Sequence, residues 1–424
     1  MSSSPGSASS DTARLPVGAL VVMGAAVFTA IATEVLPVGL LPLMSQGLGV
    51  TQARIGLLVS TYAVAVALTS IPLTAFLMRW PARSVLVGLL VTYALSNAVL
   101  AAATDYWVAF GARLLGGLAH AGFFSVVFSA AVDLVPRALA GRAVAVVSAG
   151  NALSLALGVP LGTALGVAVG WRWAFVFAGI VMLALAATVA VVIPAIAAPA
   201  AATGRLPVLA AIRQRRLLHF AAMLTVLTVG HYTAYTYLTS LLSAAGIRQG
   251  SVSLVLFGYG AAGLLGLAAA GATVDRRPRA ALSGAVLLIA SCLSVLGLFS
   301  GRPVVVVLAV ALWGLGFGAL PTLVQAVGLQ ATPRSPDAAP AVVNATFNIG
   351  IAAGGVIGGR ELLVASPATL SFTGAVAAFL AVALLVARRT RRTAPSAAAS
   401  EASGGEQNAQ PKASSTASES TGHA

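Results

Sequence analysis

One carboxylate in this sequence stands where a carboxylate is costly. Glu34 lies deep inside a long apolar run, whereas the other acidic residues lie in polar tails or near the ends of such runs. A charge at the centre of a bilayer costs about 2.5–3.5 kcal/mol on insertion scales, so a residue of this kind faces a partner or a watery cavity. A buried carboxyl beside a cation can gain and lose a proton. The alternative is a structural carboxylate tied to backbone or hydroxyl groups. Arg113 is the one basic residue equally deep in a run. Counted along their helices, both side chains fall about 12–15 Å below the same membrane edge. Arg113 therefore either pairs with Glu34 or holds helix carbonyls. His120 follows Arg113 by two helical turns, on a face shared with Gly117 and Phe124. Imidazole titrates near neutral pH, so His120 can relay protons or donate to a substrate, or it is a satisfied contact between helices. Glu34, Arg113 and His120 are the candidate proton-coupling set, with Phe124 beside them as a candidate substrate contact.

A second set of polar groups lies in the later runs. His231 and Tyr235 share a helix face, with Tyr232 and Tyr237 nearby, and Gln325 follows Trp313 and Phe317. Asn344 and Asn348 form another pair at i, i+4. These groups suit hydroxyl-bearing or amphipathic organic ligands, although such residues also join membrane helices to one another. Small residues at i+4 spacing form ridges: Gly150, Ser154, Gly158, Gly162 and Gly166; Gly258, Ala262, Gly266 and Ala270; and Gly350, Gly354 and Gly358. They let helix backbones approach closely, and their presence in both halves of the chain points to a moving interface.

Other chemistries find no footing. The metalloprotease signature H-E-x-x-H and the nucleophile elbow G-x-S-x-G are both absent. The four histidines are scattered, which predicts no metal and no cofactor. The only lysine, Lys412, lies in a polar tail, so no phosphate-binding Walker loop exists. Cys292 is the sole cysteine and cannot form an intrachain disulfide.

The elements that must position these residues follow from composition. Of 424 residues, 59% are hydrophobic and 8% charged, and the mean hydropathy is +0.97. Soluble domains carry about 25% charged residues, so the chain is read as a membrane protein. Its long unalternating apolar runs exclude a β-barrel. Each span needs about 20 apolar residues, and runs fall at about 15–43, 54–77, 84–103, 107–132, 142–168, 172–196, 217–243, 252–273, 280–299, 303–329, 340–363 and 367–387. Pro72, Pro160 and Pro321 lie within spans, where kinks are tolerated. The expectation is an all-α membrane protein of about twelve helices in two pseudo-symmetric six-helix bundles, 15–196 and 217–387. A cytoplasmic linker, 197–216, joins them, and disordered tails cover 1–14 and 388–424. No cleavable signal peptide is evident, and the first run reads as a retained span.

The net charge of +14 comes from arginines in short loops and calls for no nucleic acid. An even number of spans puts both ends of the chain on one side. That side carries 18 of the 24 basic residues, the other carries five, and Arg113 lies within a span. This bias predicts cytoplasmic termini.

Four stretches resemble the major facilitator superfamily, in particular its twelve-span drug:proton antiporters and, within them, the sugar (arabinose-type) efflux and chloramphenicol-exporter branch. Thr33-Glu-Val-Leu-Pro-Val-Gly-Leu-Leu-Pro42 looks like that branch's first span, and Arg113-Leu-Leu-Gly-Gly-Leu-Ala-His-Ala-Gly-Phe-Phe124 like the fourth-span motif, whose Arg lines the central cavity. Gly158-Val-Pro-Leu-Gly-Thr163 with Gly170-Trp-Arg-Trp-Ala-Phe175 looks like the fifth-span antiporter motif. Leu312–Gly318 and Phe347–Gly354 resemble the tenth and eleventh spans. The family's Asp-Arg-x-Gly-Arg loop is degenerate at Met78–Arg83, which lacks the Asp and the Gly, while the repeat copy keeps Asp275-Arg276.

The resemblance implies the major facilitator fold, alternating access, and a conformational interface including Gly158, Pro160, Gly162, Asp275 and Arg276. The expected function is proton-coupled efflux of sugars or drugs across a bacterial cytoplasmic membrane by a monomer. Its partners are protons, a small-molecule substrate and the lipid bilayer. The alternatives are a nutrient importer or symporter of the same fold, and a membrane receptor that binds without transporting.

Overall fold

The computed structural model describes residues 15–194, 215–331 and 338–393. Among them are twelve helices long and apolar enough to cross a membrane: Val17–Leu48, Gln52–Leu77, Ala82–Ala102, Tyr106–Asp133, Arg137–Val169, Trp171–Val192, Arg215–Tyr235, Gln249–Thr273, Pro278–Leu298, Pro303–Ala331, Val342–Val364 and Pro367–Ala387. They are numbered below as the first to twelfth spans. Residues 195–214, which hold nearly all of the expected linker, lie outside the described residues, as do 1–14 and 394–424.

Short connections are set by local chemistry. Gly49 closes the first span in the left-handed conformation (φ 64°), which suits a residue without Cβ. Asp105 caps the fourth span, its Oδ1 accepting from the amides of Trp107 (2.8 Å) and Val108 (3.2 Å).

Three elements depart from the expected runs. The run 217–243 is not one helix. It breaks at Thr236–Tyr237, and a short helix, Leu238–Ala244, follows. The fifth span carries a π-helical turn over Ser154–Gly158, closed by Val159 N donating to Ser154 O. Pro160, which has no N–H, sits just beyond that turn, and such turns bend a helix. The twelfth helix continues to Thr393, so residues 388–393, expected in the tail, are helical.

The packing is a doubled pattern. The second span packs on the fourth, the third on the fourth and sixth, and the first on the fifth and sixth. Six spans later the same pairs recur: eighth on tenth, ninth on tenth and twelfth, seventh on eleventh and twelfth. These are two pseudo-symmetric six-helix bundles. They meet along two related seams, second span against eleventh and fifth against eighth.

Candidate functional site

The site begins with what proline does to the first span. Pro37 lacks an N–H, so the carbonyl four residues earlier, Thr33 O, loses its helical donor. Arg113 of the fourth span supplies one: Nη1 donates to Thr33 O (3.0 Å) and Nη2 to Glu34 O (2.8 Å). The guanidinium also lies 4.3 Å from the centre of the Tyr62 ring, a favourable cation–π geometry. Arg113 thus holds helix carbonyls, and its hold on Glu34 runs through the backbone rather than the carboxylate.

The Glu34 carboxylate finds a different neighbour. Its Oε2 lies 3.6 Å from His120 Nδ1, within ion-pair range. The same nitrogen is 2.9 Å from the Tyr62 hydroxyl, which in turn stands 3.5 Å from the Tyr93 hydroxyl. Phe124 stacks on His120, with ring centres 4.4 Å apart. Glu34, Arg113 and His120 are all buried. The three expected coupling residues are therefore gathered, together with Tyr62 and Tyr93. Those tyrosines come from the second and third spans, and nothing in their local sequence marks them.

In the carboxy-terminal bundle His231 sits in a nest of rings. It stacks on Phe317 (3.8 Å between centres) and lies nearly parallel to Tyr235 (5.3 Å). Trp313 Nε1 donates to His231 Nδ1 (3.1 Å). Tyr259, from the eighth span, meets both Trp313 and Tyr235. Tyr232, half-buried, stands edge-on to His231.

The remaining expected contacts stand apart. Gln325 is three helical turns past Trp313, about 18 Å along the tenth span, and half-buried. Asn344 is exposed. Asn348 is buried but turns back on its own helix, donating to Asn344 O (3.0 Å). Thus His231 and Tyr235 share a site, whereas Gln325, Asn344 and Asn348 lie nearer the chain-terminal end.

The glycine ridges pack inside the bundles, not between them. A Cβ on Gly150 would strike Gly24 O, one on Gly158 would meet Ala32 and Phe28, and one on Gly162 would meet Leu36, all on the first span. Gly266 fits against Leu315, and Gly350 and Gly354 fit against the seventh span. These stripes face their own bundle because its core lies on that side. The inter-bundle glycines are offset from them. A Cβ on Gly260 would lie 2.4 Å from Ala156 Cα, and one on Gly355 would lie 2.3 Å from Ser60 Oγ. Pro160 is buried, and Asp275 and Arg276 are exposed beyond the eighth span.

The end away from the chain termini is clasped. Tyr237, at the break in the seventh span, donates to Gly355 O (2.7 Å) and reaches Ala53 O (3.4 Å) of the second span. Ser240 donates to Gln52 Oε1 (2.5 Å). Thr239 Oγ1 donates to Val38 O (3.2 Å), the carbonyl that Pro42 leaves without a helical donor. Towards the terminal end burial is lost: the second span is largely buried to Val66 and then exposes Leu68, Ile71 and Phe76. No group of three or more His, Cys, Asp or Glu is assembled among the described residues.

Comparison with known proteins agrees with this architecture. The family model described as Major Facilitator Superfamily matches residues 22–359. A chloramphenicol resistance protein of Streptomyces lividans is 33% identical over 376 residues, covering 87% of this chain and 95% of that protein. Among solved structures, a POT family transporter in complex with a thioalcohol-conjugated peptide superposes with a TM-score of 0.73 at 12% identity, over 88% of this chain and 96% of its own. A bacterial homologue of the human lysosomal transporter Spinster, in an inward-facing and unoccupied conformation, superposes with a TM-score of 0.63 at 14% identity, over 87% and 93% respectively.

Proposed function

Because the chain belongs to the major facilitator superfamily, a family of membrane transporters, we propose that it exports small organic molecules in exchange for protons. The observation that carries this reading is the deep carboxylate of Glu34, set against His120 and beside the backbone-anchored Arg113. With Glu34 ionised, the negative carboxylate offsets the positive guanidinium. Protonation leaves the guanidinium charge uncompensated and removes the carboxylate's hold on His120, which alters the contact between the first and fourth spans. The Tyr62 and Tyr93 hydroxyls extend the chain of proton-bearing groups from His120.

The substrate class follows from the relative named for chloramphenicol resistance and from the aromatic nest around His231. Small amphipathic drugs fit both, and sugars are the alternative cargo. The basic-residue bias supports cytoplasmic termini. With that orientation the clasped end faces outward, and the conformation is the one that loads substrate from inside. The reading takes the protein as a monomer in a bacterial cytoplasmic membrane.

The test is drug export in everted vesicles under an imposed pH gradient. Glu34→Gln should fold, retain drug binding and lose gradient-driven export. Undiminished gradient-dependent export by this variant would refute the coupling role. Uptake directed into the cytoplasm would favour an importer, and binding without flux a receptor.

A further inference from the structure

The ring nest around His231 holds two buried polar atoms with nothing to bond. Trp313 Nε1 donates to His231 Nδ1 at 3.1 Å. An indole N–H can only donate, so Nδ1 must offer its lone pair, and the neutral imidazole then carries its proton on Nε2. That Nε2 is buried and has no partner. The Tyr259 hydroxyl, against Trp313 on the same nest, is also buried and unpartnered. Leaving a buried donor unsatisfied is costly, and most buried polar groups avoid that cost by finding a partner. Each of these two atoms, set in one ring cluster, asks for a hydrogen-bond partner.

The walls say what else that partner should be. Phe317 and Tyr235 stack on His231, and rings of this kind pack favourably, offset or edge-on, with an aromatic guest. Tyr232, half-buried, stands edge-on to His231. Among the described residues, the ring contacts and the hydrogen bond that build the nest involve no carboxylate.

We infer that the His231 nest is a recognition subsite for neutral aromatic molecules bearing an acceptor oxygen of the carbonyl or nitro type, which His231 Nε2–H and the Tyr259 hydroxyl bind. This rests on the export reading and narrows its cargo. The site works only while Trp313 fixes the imidazole's proton on Nε2. Trp313 is therefore a specificity-determining residue that acts through His231.

Equilibrium binding to the purified full chain in lipid nanodiscs tests this without any gradient. Two probes are compared: radiolabelled chloramphenicol, a neutral nitroaromatic amide, and tetraphenylphosphonium, an aromatic cation with no acceptor. His231→Phe keeps a ring and removes the donor, and should weaken chloramphenicol binding about tenfold. Tyr259→Phe deletes one oxygen and should weaken it severalfold. Both variants should bind tetraphenylphosphonium as the parent does. Trp313→Phe frees the imidazole to place its proton on either nitrogen, and should lower the preference for chloramphenicol over the cation. Unchanged chloramphenicol affinity in both donor variants, an equal loss for both probes, or a parent chain that binds only the cation would overturn the proposal. Should His231→Phe not fold, Tyr259→Phe decides. Failure of the export reading is seen separately, in the vesicle flux of Glu34→Gln.

Discussion

Arg113 shows how one residue's role depends on another residue's missing atom. Its two terminal nitrogens bond the carbonyls of Thr33 and Glu34, and the first of these is free because Pro37 cannot donate. Lysine carries the charge but has no planar fork, so it cannot bridge two carbonyls while stacking on Tyr62. Arg113→Lys should lower thermal stability by about 1–3 kcal/mol and sharply reduce transport; melting in detergent and vesicle flux measure the two effects. Pro37→Ala restores an N–H to Thr33 O. A double-mutant cycle should therefore show a smaller stability loss from Arg113→Lys in the Pro37→Ala background. Additive losses would mean that the proline and the arginine act independently. Glu34, Arg113 and His120 were legible as a set because ionisable residues in spans are rare and must find company. Which atoms of Arg113 and Glu34 meet was not legible, because a side chain's choice between carboxylate and carbonyl depends on the bend of the facing helix.

Residues two apart point to opposite faces of a helix, and the eighth span shows the consequence. Gly258 has nothing within 4 Å of where a Cβ would stand, while a Cβ on Gly260 would lie 2.4 Å from Ala156 Cα and 2.5 Å from Leu155 O. Gly258→Ala should leave export intact and gain up to about 1 kcal/mol of helix stability. Gly260→Ala must push backbone aside at the seam with the fifth span, and should reduce export severalfold with the fold retained. Transport and melting of the pair measure this contrast, and equal behaviour would remove the seam from the mechanism. At the clasped end, Pro42→Ala would give Val38 O a helical donor that competes with Thr239. The clasp should loosen, seen as faster labelling of a cysteine introduced at Ser60, which is now buried.

For the molecule as a whole, two related seams and one clasped end are what one position of the proposed rocking pair would show. The second span meets the eleventh and the fifth meets the eighth, so a rotation about the middle of these seams closes one end as it opens the other. The sole native cysteine, Cys292, is buried, which gives a quiet background for labelling. Asn344→Cys, at an exposed position, should react readily with an impermeant thiol reagent, and Ser60→Cys slowly. If proton uptake by Glu34 drives the rocking, adding Glu34→Gln should shift the ratio of these two rates. An unchanged ratio would separate Glu34 from the conformational switch.

The sequence by itself determined the twelve spans, their division into halves and the presence of a lone deep carboxylate, because hydropathy and the cost of intramembrane charge act locally along the chain. The tertiary structure decided what touches what. It turned the glycine ridges inward, broke the seventh span at Tyr237, and set Tyr62 and Tyr93 beside His120. It also gave the two carbonyls left free by Pro37 and Pro42 to Arg113 and Thr239. Those outcomes depend on the rotation and bend of each helix against its neighbours, which no single stretch of sequence contains.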